Sequence, residues 1–143
     1  MNTAGVPSEG YKVVGNIVAT HTLQFDSQTD GESITMEMLM NQTPAVPVVD
    51  AHGQLEGILG ERQILEALEA GKDLTKMKAK DLITKKAPIQ VTDSTPISDA
   101  IKFLQEEQIP ILPVVQDDRV IKSITRHDLI RALSGAGLGV EKE

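Results

Sequence analysis

The chain has 143 residues, 40% of them apolar, enough for one globular domain or one domain built from two halves. It contains no cysteine, which excludes disulfides, thiolate nucleophiles and cysteine-ligated metals. No apolar run approaches a membrane span, the first ten residues lack the apolar stretch of a signal peptide, and the net charge of −7 argues against nucleic acid or anionic membranes as partners, so a cytoplasmic protein is expected.

Residues 1–11, with Gly5, Pro7 and Gly10, read as a flexible arm. Val13 to Val18 is a short apolar lead-in, helical or extended, and Thr22 to Phe25 is strand-like. Thr29-Asp30-Gly31-Glu32 fits a capping box with the threonine as cap, opening a helix that turns Ile34, Met38 and Leu39 inward with Met36 and Met40 alongside. Pro44 stops that helix. Ala45 to Val49 and the segment up to Gly60 then form a strand pair turning at Ala51-His52-Gly53, and Gly60 opens a helix that ends near Gly71.

After a linker at 72–76, a short helix over Lys78–Ile83 leads into the second half, followed by a strand at Ile89–Val91. Thr95 caps a helix with Pro96 at its first position and Ala100, Ile101, Phe103 and Leu104 on its apolar face. The run Ile111-Leu112-Pro113-Val114-Val115 is too short for a helix and rich in β-branched residues, as a strand buried on both faces would be. Asp117-Asp118 turns the chain, Val120 to Ile124 forms the partner strand, and Thr125 caps a helix running to Leu133. Ser134 to Gly139 is glycine-rich but follows a helix, so it reads as a helix stop and the start of a flexible tail over 135–143 rather than a dinucleotide loop.

These elements repeat. Pro47-Val48-Val49 answers Pro113-Val114-Val115 66 residues later, and Ile64-Leu65 answers Leu129-Ile130 at 65. The expected fold is therefore mixed α/β: two tandem β-α-β-β-α repeats, at 12–71 and 72–134, packed sheet to sheet with pseudo-twofold symmetry. The helices carrying Ile34, Met38, Ala100, Phe103 and Leu104 have more apolar surface than two thin half-sheets cover, which predicts a homodimer burying part of them.

The repeated strand of hydrophobic-Pro-Val-Val, the turn, and the strand ending in Thr-x-x-Asp resemble a tandem pair of CBS domains, the module named after cystathionine β-synthase, over about residues 12–134. The resemblance implies a regulatory module, often dimeric, that binds an adenosine-containing ligand such as AMP, ADP, ATP or S-adenosylmethionine. The family's ribose motif falls on Thr125 and Asp128. A carboxylate can accept from both vicinal ribose hydroxyls in charge-assisted hydrogen bonds. Arg126, His127 and Lys122 are placed to balance phosphate charge, with adenine expected near Ala87, Ile89, Ile111 and Pro113.

The first repeat departs from this pattern. Gly60 and Gln63 stand where Thr125 and Asp128 stand, and Glu61 replaces Arg126; in the second repeat Lys122 takes the place of Gly57. Residues 1–71 carry ten acids against Lys12 and Arg62, while residues 72–143 carry twelve basic residues against eleven acids. An anionic ligand is thus better hosted by the second repeat. His21, His52 and His127 lack paired spacing, and no nucleophile has a base nearby in sequence. We expect no catalytic residues, no metal and no resident cofactor. The alternative expectation is a ligand-free dimerisation or docking module with degenerate clefts.

Overall fold

The computed structural model describes residues 11–84, 88–107 and 109–134. Ala87, residues 1–10 of the expected arm and the tail over 135–143 lie outside the described residues. The fold is mixed α/β: five short strands, β1 (Phe25–Asp26), β2 (Ala45–Val49), β3 (Leu55–Gly60), β4 (Leu112–Gln116) and β5 (Arg119–Ile124), and five α-helices among the described residues, α1 (Gly31–Asn41), α2 (Glu61–Glu69), α3 (Ala79–Leu82), α4 (Ile97–Glu106) and α5 (Arg126–Leu133). Single 3₁₀ turns occupy Val14–Asn16 and Leu74–Lys76. No helix among the described residues is long and apolar enough to cross a membrane.

The chain forms two compact units, and their boundaries do not follow the sequence boundary at residue 72. One unit gathers the described residues of 23–88 and the hairpin tip 117–120. The other gathers the described residues of 11–22, 89–116 and 121–134. The lead-in segments have changed places. Val14 and Ile17 are buried in the second unit's core, and the Val14 and Gly15 N–H groups donate to the Thr95 and Asp93 carbonyls. Ala79 and Leu82 of α3 are buried in the first unit's core instead, with the Ala79 and Lys80 N–H groups donating to Thr29 and Ser27 carbonyls. The two lead-in segments hold equivalent positions ahead of the two repeats, so spacing alone does not assign either to a half; their contacts do.

In the first unit the sheet order is β1-β2-β3, parallel between β1 and β2 (Phe25 beside Val48) and antiparallel between β2 and β3 (Ala45 beside Gly60). Every residue of β2 is buried, which accounts for its unbroken Ala-Val-Pro-Val-Val run. Helix α1 begins one residue later than the sequence implied: Asp30, not Thr29, is the cap, its carboxylate accepting from Ser33 N–H at 2.9 Å and from the Ser33 hydroxyl at 2.7 Å.

The Ser33 backbone N–H, then its hydroxyl, hold the Asp30 carboxyl below its ordinary value of 3.8. The stabilisation this gives is complete above that ordinary value and is lost as pH falls through the lower folded value. Asp30→Ala is expected to lower Tm at neutral pH, with the gap to wild type closing in acid; melting curves from pH 7 to about 2 check this.

Apolar residues circle α1, so its inward face could not be read from spacing alone. Ile34 (0% exposed) and Met38 (4%) enter the core, whereas Met36, Leu39 (68%) and Met40 (74%) are exposed, which corrects the inward placement of Leu39. Gln42 closes the helix in the left-handed region at φ 53°, a conformation that favours glycine. Gln42→Gly is expected to raise stability by about 0.5–1 kcal/mol, read as a higher urea midpoint.

The second unit is built on the β4–β5 hairpin, which turns through Asp117 and Asp118 at φ 53° and 65°. The strand expected at Ile89–Val91 is reduced to a parallel bridge between Val91 and Val114. Helix α4 starts after Pro96, because the Thr95 hydroxyl oxygen accepts from Thr92 N–H (3.1 Å) rather than capping forward. Ala100 and Leu104 are in the core with Leu112, Val114, Ile124, Leu129 and Ala132. The residues expected to meet a second copy, Ile34, Met38, Ala100 and Leu104, are thus buried within their own units, and Phe103 is partly buried against the core.

Candidate ligand site

The junction of β5 and α5 carries the arrangement to which the sequence pointed. Thr125 adopts extended backbone (φ −117°, ψ 167°) and caps α5. Its hydroxyl oxygen accepts from the Asp128 N–H at 3.1 Å, and its own N–H donates to Asp128 Oδ2 at 3.1 Å, so the pair is a reciprocal cap. Asp128 is 1% exposed. Its second oxygen is also occupied: Oδ1 accepts from the Thr20 hydroxyl at 2.8 Å and from Arg131 Nη2 at 3.2 Å. Burying a carboxylate this deeply is costly unless it is paired and hydrogen-bonded, and Asp128 is both.

Thr20 and Arg131 were not singled out from the sequence. Arg131 lies three residues beyond Asp128 on one helix, a spacing that permits an ion pair. Thr20 is 108 residues away and had no signal at all. Thr20 Oγ1 also lies 3.1 Å from His21 Nδ1, and the His21 carbonyl accepts from Ser123 N–H, which ties the lead-in segment to β5. Ser123 Oγ is buried and makes no hydrogen bond among the described residues.

The remaining expected site residues are dispersed. Arg126 turns away from Asp128 and binds the end of α4, its Nε donating to Gln105 Oε1 at 2.8 Å and its Nη2 to the Leu104 carbonyl. Lys122 pairs with Asp93 at 3.2 Å, and His127 is exposed. Ile111 and Pro113 are buried, the Pro113 carbonyl accepting from Val91 N–H, and Ile89 is half-buried against the second core. The structure brings together Thr125 and Asp128 and adds Thr20 and Arg131. It does not bring Arg126 to them.

At the matching junction of the first repeat, Gln63 Oε1 accepts from Gly60 N–H at 2.9 Å, so an uncharged amide takes over the helix cap. A Cβ on Gly57 would stand 2.9 Å from Ile83 Cδ1 and 3.1 Å from its Cβ, so Ile83 fills the space beside that glycine. Among the described residues, no group of three or more His, Asp or Glu side chains could hold a metal ion.

The family model of the CBS domain matches residues 33–70 and again 79–135. The chain belongs to the CBS-domain family. Its two matches form a tandem pair, as the repeat implied. Arabinose 5-phosphate isomerase KdsD of Pseudomonas aeruginosa is 31% identical over 106 residues, covering 71% of this chain and 32% of the isomerase, so the chain spans about a third of that relative's length. Among solved structures, CBSX2 in complex with AMP is 25% identical at a TM-score of 0.71, covering 87% of this chain and 97% of that one. A CBS-domain pair in complex with 5′-methylthioadenosine and S-adenosyl-L-methionine matches with a TM-score of 0.74 at 23% identity, over 87% of this chain and 97% of its own.

Proposed function

We propose that this CBS pair is a regulatory module that senses an adenosine-containing ligand, of the AMP, ADP, ATP or S-adenosylmethionine type, mainly through its second repeat. The observation that carries the reading is Asp128: a buried carboxylate, oriented by a reciprocal cap, at the position of the family's ribose motif. The similar pairs bound to AMP and to S-adenosylmethionine support the ligand class. Ribose hydroxyls would take the place of the Thr20 hydroxyl at Asp128 Oδ1, an exchange of one hydroxyl donor for others. The first repeat's amide, already engaged by Gly60, offers no such acceptor. Ligand would regulate by preferring one arrangement of the repeats, within the limit set by its differential affinity.

A second reading, a ligand-free dimerisation or docking module, draws on a different observation. Leu39, Met40, Leu65, Leu68, Ile130 and Leu133 are all about half or more exposed. Under either reading we propose a homodimer that covers these side chains. A thermal-shift screen over AMP, ADP, ATP, NAD, S-adenosylmethionine and cyclic dinucleotides separates the two. Ligand at about a hundred times Kd adds roughly 2.7 kcal/mol to stability, so an adenosine compound should raise Tm by several degrees. A flat response across the panel would leave the docking module as the reading.

A further inference from the structure

Resting on the reading of Asp128 as the ribose acceptor, we propose that residues 18–22 are an autoinhibitory strap. The Thr20 hydroxyl occupies the carboxylate oxygen that a ribose needs, and a ligand must lift the strap to bind. All the groups involved belong to one compact unit, the one that gathers the described residues of 11–22, 89–116 and 121–134.

The strap is tied firmly in front and lightly along its length. Val14 and Ile17 are buried in the core, and the Val14 and Gly15 N–H groups donate to the Thr95 and Asp93 carbonyls. Beyond Ile17, Val18, Ala19 and Thr20 make no backbone hydrogen bond among the described residues, and Val18 and Thr20 are exposed. Two contacts hold this part down. The Thr20 hydroxyl donates to Asp128 Oδ1 at 2.8 Å, and the His21 carbonyl accepts from Ser123 N–H at 2.9 Å. A threonine hydroxyl has a single proton, and a carboxylate can only accept. With that proton given to Asp128, the Thr20 oxygen is the acceptor for His21 Nδ1, 3.1 Å away. Thr20 thus stands in for a ribose hydroxyl: a neutral donor on a buried, ion-paired carboxylate, tethered to the chain.

The closed strap also leaves a polar group stranded. Ser123 faces His21 across an antiparallel bridge, and its buried Oγ has no hydrogen-bond partner among the described residues. A buried hydroxyl without a partner costs free energy. Lifting His21 from Ser123 opens that hydroxyl to water or ligand, which offsets part of the lost Thr20 contact. Asp128 keeps Arg131 and the Thr125 N–H when Thr20 leaves, so the cap of α5 survives the opening.

Thr20→Val keeps the side-chain shape and removes the hydroxyl. AMP should then bind roughly three- to tenfold tighter than to wild type by calorimetry, the worth of one hydrogen bond. Thr20→Ser, which keeps the hydroxyl, should bind as wild type does. 2′,3′-Dideoxy-AMP has no hydroxyl to exchange for Thr20 and should gain nothing from Thr20→Val. Equal gain for both nucleotides, or AMP binding to Thr20→Val no tighter than to wild type, overturns the strap. Asp128→Asn separates the two readings. Weakened AMP binding there keeps the ribose site standing even when the strap falls, and unchanged binding removes the site itself. AMP bound by neither wild type nor Thr20→Val overturns both. Amide hydrogen exchange without ligand reads the closed state directly: Ser123 N–H should exchange faster in Thr20→Val than in wild type, and unchanged protection shows that Thr20 does not hold the strap down.

Discussion

Asp128→Ala is expected to lower the free energy of unfolding by about 2–4 kcal/mol, a large share of a typical domain's stability. The change removes one half of the reciprocal cap with Thr125 and takes both the Thr20 and Arg131 partners away together. Arg131, whose side chain is 24% exposed, would be left with its charge uncompensated in a largely buried place. From sequence alone, Asp128→Ala would be expected to weaken binding of an adenosine ligand while leaving the fold nearly intact. The burial of the carboxylate makes the alanine variant a stability mutant as well, so it cannot report on binding by itself. Asp128→Asn is the better probe: it keeps one carbonyl acceptor and the side-chain shape, and it loses the charge. Urea unfolding of the alanine variant checks the first expectation, and an unchanged midpoint would show that Asp128 does not hold this junction together.

Ile34→Ala is expected to cost about 2–5 kcal/mol, by loss of burial plus a cavity that the packed core only partly closes. Ile34 is 0% exposed and sits with Val46, Val48 and Leu59 in the first core. Met36→Ala, two residues on and 53% exposed, should change stability by less than about 0.5 kcal/mol. The pair tests which face of α1 is inward, and equal losses at both positions would overturn that orientation of the helix.

The sequence was most legible where local chemistry and the repeat agreed. Thr125 and Asp128 satisfy the capping pattern, the family motif and the strand-to-helix junction at once, and the structure places them in reciprocal contact. Pattern failed where two residues could serve one purpose. Thr29 and Asp30 can both cap a helix, and the choice fell to Asp30 because its carboxylate reaches Ser33. Pattern also failed where partners are distant in sequence. Arg126 looked like a phosphate ligand because it neighbours Thr125, yet its bonds run to Gln105 and Leu104 on another helix. Thr20 came to Asp128 through the exchange of lead-in segments, which equal spacing in a tandem repeat conceals.

Titration calorimetry with an adenine nucleotide, run on the wild-type protein and on folded Asp128→Asn, tests most directly whether the second repeat's carboxylate holds the ligand. The expected result is a stoichiometry near one nucleotide per chain, and in Asp128→Asn a loss of about 1.5–3 kcal/mol, or roughly ten- to a hundredfold in affinity. Two equal sites per chain, both surviving Asp128→Asn, would contradict it and move the ligand chemistry away from Asp128.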